Sequence, residues 1–442
     1  MRRLLPATAT IAGVAVALRV IFDGWYLNYD ARYALLWARD VAHGFKPEYE
    51  AAFAPTPHPL STAWSALALP FGQSGDQLMV WFVLLSFGAL VYLAYRLGAE
   101  LFSPAVGVVT ALVVLTRPAL ERDALLGYQD VPFAVLIVLA ALLEARRPRR
   151  GAAVLAVLFV AGLLRPEAWV LAGLYWLYLF GGLEGRDRIR LALLVAAAPA
   201  LWALTDLIVT GDALHSLHGT SDLAEANDRR RSLGDVPKSV VQYLGFALRE
   251  PGVLAVPLGL AFAWRHRERY GRAAAIPVAI VAAMTVVFAL NPIFGLPLIA
   301  RYVRASAVLL MLFYGLAVCG WLLLGREHPE RRLWTAVAAV AVVASLVYLP
   351  WHVGLLGDLR DKTSLEGNRY RSLRALTRIE PVRKAFAACG PLATTDHRPE
   401  PYLRWWLDGD PGSVVTLEGG SARPGRLVVV PRPTRLQRRW LR

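Results

Sequence analysis

A helix of about 18 apolar residues spans the hydrocarbon of a bilayer, and this chain returns to such runs throughout its first 350 positions. Apolar stretches fall at about 4–22, 77–95, 104–118, 131–144, 151–165, 168–183, 190–209, 251–264, 273–290, 300–324 and 333–350. With 56% hydrophobic and 18% charged residues, there is too little polar surface to cover a water-soluble fold of this size. The expected architecture is a polytopic α-helical membrane protein with about eleven spanning helices over residues 1–350. After Trp351 the pattern changes: "PLATTD", "SVVTL" and "RLVVVP" read as strands, and "NRYRSLRALTRIEPVRKAFAAC" and "PEPYLRWWLDG" as helices. Residues 351–442 are therefore expected to form a small α/β domain.

The net charge of +15 does not point to nucleic acid, because the arginines gather in short turns between apolar stretches. Arg2 and Arg3, Arg96, "RRPRR" at 146–150, "EGRDRIR", "RHRERYGR" and "GREHPERR" all fall on one side of an eleven-span arrangement. Positive charge in short loops marks the cytoplasmic face, so the amino terminus is expected inside and the carboxyl-terminal segment outside. Arginine-, alanine- and leucine-heavy usage suggests the plasma membrane of a GC-rich bacterium. Cys319 sits in an apolar stretch and Cys389 in a polar one, and both are read as free thiols. No phosphate-cradling glycine loop, dinucleotide fingerprint or serine elbow occurs.

With that sidedness, the polar turns of interest share the outer face. The first outer loop, 23–77, contains "WYLNYDARYALLWARDVAHG" from Trp25 to Gly44. Tyr33, Leu36, Trp37 and Val41 recur at helical spacing, giving an amphipathic helix suited to the membrane surface. Asp30 reads as its N-cap and Gly44 as its stop; Asp40, ten residues on, reads as surface. As a carboxylate at the water–lipid boundary, Asp30 also suits a general base acting on a hydroxyl. "LSTAWSALALPFG" is too short to span and is expected in the interface. Arg301 and Arg304, three apart, are candidates for binding a phosphate, with snorkelling to headgroups as the plainer alternative. Arg165 and Glu167 flank Pro166 as a helix start would, and Asp130 has the same capping alternative. Arg122 and Asp123 are expected to pair. A longer outer loop from Gly211 to about Leu248 carries Arg229, Arg230 and Arg231, together with His215 and His218; these histidines are not read as metal ligands.

Taken together, these turns resemble the motifs of GT-C glycosyltransferases, integral-membrane enzymes that use polyprenyl-phosphate sugars, as in the protein mannosyltransferase and aminoarabinose transferase types. Asp30 with Tyr33 and a closing Gly44 is similar to their first-loop motif, with Ala31 where many relatives carry a second acid. "TPHPL", with His58, resembles the His/Lys-Pro-Pro-Leu element that follows. "RPALERDALLGYQDVPF" resembles the second outer turn, whose Asp is Asp130. "LLRPEAW", with Arg165 and Glu167, resembles an Arg/Lys-Pro-Glu turn, and "ARYVRAS" the Arg-Tyr element formed here by Arg301 and Tyr302. The resemblance implies an inverting transferase that moves a hexose or pentose, such as mannose or arabinose, from a polyprenyl-phosphate donor. The acceptor would be a hydroxyl of a glycan, a lipid or a protein. Asp30 would be the base; Arg301, Tyr302, Arg304, Arg165, His58, Asp130, Glu167 and Tyr33 would bind the donor and its phosphate. No resident cofactor is required, although Asp30 and Asp130 leave room for a shared divalent metal ion. The competing expectation is a transporter or flippase of a lipid-linked sugar, which would want ionisable residues in mid-span; here the acids gather at one face.

Overall fold

A computed structural model of the chain describes residues 5–389, 391–418 and 428–429. Every one of the eleven apolar stretches is helical. Length separates them. Six helices are long and apolar enough to cross a membrane, and seven if the pair Pro104–Leu115 and Pro118–Leu125, bent by 60°, counts as one span. Ala152–Gly162, at 11 residues, reaches only about 17 Å against roughly 30 Å of hydrocarbon. Apolar character thus foretold helices, and chain length limits how many of them can cross.

The helix Arg304–Cys319 is the centre of the bundle, buried along nearly its whole length. Gly185–Thr210 and Arg331–Leu376 lie outermost and expose apolar side chains such as Val340, Val343 and Val347. That is the inverse of a water-soluble fold and fits a lipid-facing surface. At one helix crossing the backbones nearly touch: a Cβ on Gly259 would lie 1.8 Å from the Phe313 carbonyl oxygen. Small residues allow such close approach between membrane helices. Gly259→Val should therefore force Val236–Arg265 away from Arg304–Cys319 and cost about 1–3 kcal/mol. A drop in the melting temperature of the detergent-solubilised protein would register it; an unchanged value would mean that the crossing yields.

Two charged contacts fix which ends of the bundle are which. The helix Gly75–Leu101 has 27 residues, about 40 Å. At its start Asp76 pairs with Arg32, and near its end Glu100 pairs with Arg146. The amphipathic first-loop segment and the arginine-rich turns therefore lie at opposite ends, as the charge pattern requires. At the arginine-rich end Arg265 also pairs with Glu330.

Arg331–Leu376 is a single helix of 46 residues, about 69 Å long. It runs through Pro350 and Trp351, so the compositional boundary at 351 falls inside a helix. The amphipathic helix expected over 368–389 is divided between the end of this helix and a separate one, Glu380–Cys389. Pro381 has no N–H to continue a ladder and suits a first turn. Beyond it, three short parallel strands form a sheet in the order β2-β1-β3: β1 is Leu392–Thr394, β2 Val414–Thr416 and β3 Val428–Val429. The helix Glu400–Trp406 packs on Tyr29–Ala42. Its Tyr402, Trp405 and Trp406 belong to the same apolar core as the membrane helices, with a small satellite of Leu392, Leu403, Leu407 and Val414 beneath the sheet.

This docking corrects two expectations. Residues 31–40 are all buried, so the amphipathic helix offers no long free face to a membrane surface. Asp40 is 2% exposed and accepts a hydrogen bond from Arg404 (2.5 Å), rather than lying at the surface. Cys319 and Cys389 are both free.

Candidate functional site

The Tyr29–Ala42 helix is capped by Asn28, not by Asp30. The Asn28 side-chain oxygen accepts from the Ala31 N–H at 3.1 Å, while its amide nitrogen and its backbone N–H each donate to the Leu126 carbonyl at 2.8 Å. The stop is as expected: the helix ends at Ala42 and Gly44 takes φ +79°. Asp30 is thus released from capping and sits in the first turn, where a carboxylate is favoured by the helix dipole. Its Oδ2 accepts from Arg301 Nη1 at 3.0 Å.

The same Arg301 nitrogen lies 3.6 Å from Asp130 Oδ2. Asp130, which opens the helix Asp130–Arg146, also accepts from Arg165. Arg165 in turn holds Glu167 through Nη2 at 2.6 Å and Nε at 3.2 Å. The outcome is a continuous chain, Asp30–Arg301–Asp130–Arg165–Glu167, assembled from four separate loops. Tyr302 joins it by lying under the Arg165 guanidinium at 4.4 Å. His58 stands edge-on to Trp202, with ring centroids 5.3 Å apart. Burial first, and then the charge of Arg165, push its imidazolium down to about 3, so the ring is neutral at physiological pH. Its Nδ1 and Asp130 Oδ2 are buried without a hydrogen-bond partner. Arg301 stands between Asp30 and Asp130, where a divalent ion shared by them would sit. Among the described residues one group of three potential metal ligands draws together: Asp396, His397 and Glu418, in the carboxyl-terminal segment.

Two expected residues are directed elsewhere. Tyr33 donates its hydroxyl to Glu400 Oε1 at 3.1 Å and packs among Tyr29, Trp37 and Tyr49. Arg304 does not act beside Arg301; its Nε donates to Asp123 at 2.9 Å. Ala300–Val303 is a 3-10 turn and the α-helix starts at Arg304. Arg122 also pairs with Asp123, at 3.5 Å, as expected. A residue the spacing argument passed over links these groups: Tyr128, within "GYQD", has Arg301 over its ring at 4.6 Å and Arg122 at 5.6 Å. Side-chain exposure is 25% for Arg301 and 48% for Arg122, but only 7% for Arg165 and 6% for Arg304. The cations open to a ligand are therefore Arg301 and Arg122, both over the ring of Tyr128.

Beside the cluster is a cavity of about 350 Å³ lined by Tyr49, Phe53, Thr56, His215, Thr220 and Asp222, among others. Its wall touches the site at both ends: Tyr29, next to Asp30, donates to the Phe53 carbonyl at 3.1 Å, and Thr56 precedes His58 by two residues. His215 lies 3.3 Å from the Tyr49 carbonyl, His218 pairs with Asp212, Asp206 accepts from Ser216, and Arg231 pairs with Glu225.

No protein-family model and no curated protein matches the sequence. Solved structures do match the fold. ArnT from Cupriavidus metallidurans bound to undecaprenyl phosphate superimposes with a TM-score of 0.56 at 17% identity, over 95% of this chain and 89% of that one. Its apo state gives 0.53 at 16% identity, over 97% and 90%. The apo Archaeoglobus fulgidus oligosaccharyltransferase gives 0.52 at 14% identity, over 92% of this chain and 64% of that one, so this chain spans less than two thirds of that protein. The chain has the fold of these proteins.

Proposed function

We propose that the protein transfers a sugar from a polyprenyl-phosphate donor to an acceptor hydroxyl, with inversion, at the outer face of a bacterial plasma membrane. The observation that carries this reading is the single guanidinium of Arg301, held at 3.0 Å from Asp30 and 3.6 Å from Asp130. It is bridged to carboxylates from two different loops, yet it retains an exposed face.

A donor phosphate entering between Arg301 and Arg122 competes with Asp30 for Arg301. Arg binds phosphate through paired N–H groups and stabilises charge that grows on a leaving group. As Arg301 turns to the phosphate, Asp30 Oδ2 is freed to accept a proton from the acceptor hydroxyl. The acceptor oxygen forms its bond to the anomeric carbon as the bond from that carbon to the phosphate oxygen breaks. The electron pair leaves with the polyprenyl phosphate, and attack opposite the leaving group inverts the centre. Arg165, saturated by Asp130 and Glu167, keeps the framework rigid instead of meeting the donor. The neighbouring cavity, with aromatic walls and hydroxyl-bearing Thr56 and Thr220, suits an acceptor glycan. The undecaprenyl phosphate bound by ArnT, a protein of the same fold, supports a lipid-phosphate donor; mannose, arabinose and similar sugars all fit such a donor.

The test uses purified protein in nanodiscs and a panel of radiolabelled polyprenyl-phosphate sugars. Label leaving the lipid for water or a glycan, with release of polyprenyl phosphate, is expected. Labelled lipid that crosses a sealed bilayer with its sugar intact would instead establish a flippase.

A further inference from the structure

We infer that Glu400 and Arg404 are positioning residues for Asp30: the carboxyl-terminal helix that carries them sets the roll of the Tyr29–Ala42 helix, and through it the approach of Asp30 to Arg301. The inference rests on the transferase reading above.

Glu400–Trp406 has every residue buried, and it meets Tyr29–Ala42 through contacts that differ in kind along its length. Near Asp30, the Tyr33 hydroxyl donates to Glu400 Oε1 at 3.1 Å, and Tyr33 lies three residues on, on the same face of the helix as Asp30. Just below, Tyr402 donates to the Leu27 carbonyl at 2.8 Å, fixing the chain before the cap. Arg32, 2% exposed, is held by Asp76 at 3.1 Å and faces the rings of Tyr402 and Trp406 at 4.9 and 5.5 Å. At the far end Arg404, 1% exposed, is surrounded by four acceptors. These are Asp40 at 2.5 Å, Glu48 at 3.1 Å, and the carbonyls of Gly409 and Asp410 at 3.3 and 3.2 Å. Arg39 reaches back to the Gly409 carbonyl at 2.6 Å.

Such an arrangement resists rotation about the helix axis, because the contacts spread over an arc of about 120° of the helix surface and lie at both of its ends. Rotation is the motion that matters. A carboxylate about 6 Å from the axis moves roughly 2 Å for a 20° roll, and an error near 1 Å at a reacting group can cost on the order of 100-fold in rate. Asn28 anchors the amino end and Pro59–Ser65 and Ala66–Ser74 also pack on this helix; the carboxyl-terminal helix adds the charged contacts at Tyr33 and Asp40. The dependence on pH follows from Glu400, which is faced by Tyr29, Tyr33, Glu48 and Arg404, with Asp40 beyond. Burial pushes its carboxyl up to about 8, with the Tyr33 hydrogen bond opposing and Glu48 adding to the rise. A carboxyl raised in the fold stabilises the docked state below the ordinary value, and that support is lost as pH rises through about 8. The clamp should thus loosen on the alkaline side.

The full chain in nanodiscs tests this with Tyr33→Phe, Arg404→Met, Arg404→Lys and Glu400→Gln. Three quantities are read: donor turnover, binding of undecaprenyl phosphate, and amide exchange within residues 29–42. Expected for Arg404→Met is turnover down about 100-fold, lipid-phosphate affinity within about threefold and faster exchange in 29–42, with partial rescue in Arg404→Lys. Tyr33→Phe, which changes no volume, should lower turnover about tenfold with lipid binding intact. Glu400→Gln should flatten the alkaline fall in turnover. Turnover equal to wild type in Tyr33→Phe and Arg404→Met would overturn the inference. So would a parallel loss of lipid binding in every variant, since that marks a purely structural role. A wild-type protein that binds undecaprenyl phosphate without consuming any donor would overturn the transferase reading instead, whatever the exchange data show.

Discussion

Asp30→Asn is expected to lower sugar transfer by roughly 100- to 10,000-fold, the range a positioned general base contributes, while donor binding holds or tightens. Asparagine keeps the shape and the place in the first turn, so folding is preserved; Asn28, not Asp30, caps the helix. What changes is charge. Asp30 is the one carboxylate of the cluster with substantial exposure, 31% of its side chain against 2% for Asp130 and 7% for Glu167. It is thus the acid that an acceptor hydroxyl can reach. Removing its charge also removes the competitor of the donor phosphate for Arg301, so the donor KM should stay level or fall while kcat collapses. This split is diagnostic, because a residue that merely shaped the donor site would raise KM. Full transfer by the variant, measured with radiolabelled donor and any accepted acceptor, would remove Asp30 from the chemistry.

The split between what the sequence announces and what only the fold reveals follows chemical logic. Asp130, Arg165, Glu167 and Arg301 were legible because each is a polar residue stranded at the end of an apolar helix. A shared end of the bundle was the only place for all four to meet. Tyr33 and Asp40 have partners that lie where no local pattern could point. Glu400 is 367 residues from Tyr33, and Arg404 is 364 from Asp40. Spacing predicted that Arg301 and Arg304 would act together, yet Arg301 pairs with Asp30 and Asp130 and Arg304 with Asp123. Tyr128 was passed over because an aromatic residue in a turn carries no signature of its own; it is recognisable only once Arg301 and Arg122 are seen to meet its ring. The carboxyl-terminal helix hid its role in the same way. Its arginine and tryptophans look like an ordinary amphipathic surface until the first-loop helix lies against them.

Arg301→Gln should have the second-largest effect, and it should act on two quantities at once. It removes the principal open cation facing a donor phosphate, so the donor KM should rise and kcat/KM should fall about 100- to 1,000-fold, as when a single electrostatic stabiliser of developing charge is lost. It also leaves Asp30 and Asp130 facing each other without the guanidinium between them. Stripping one partner from a well-buried ion pair costs about 3–5 kcal/mol. Arg301 and Asp30 are each partly exposed, so solvent screening should reduce the loss to about 1–2 kcal/mol. Arg301→Lys keeps a charge but not the fork that lets one side chain address two carboxylates, and should recover stability better than transfer. The decisive comparison is the double variant. If Arg301 stabilises the fold by separating two acids, adding Asp30→Asn to Arg301→Gln should restore part of the lost melting temperature, so that the double change is less harmful than the sum of the single ones. Transfer should not return, since base and phosphate ligand are both gone. Strict additivity in melting temperature would mean that Arg301 and Asp30 do not interact in the folded protein, and that the guanidinium joining the two loops is not what holds the site together.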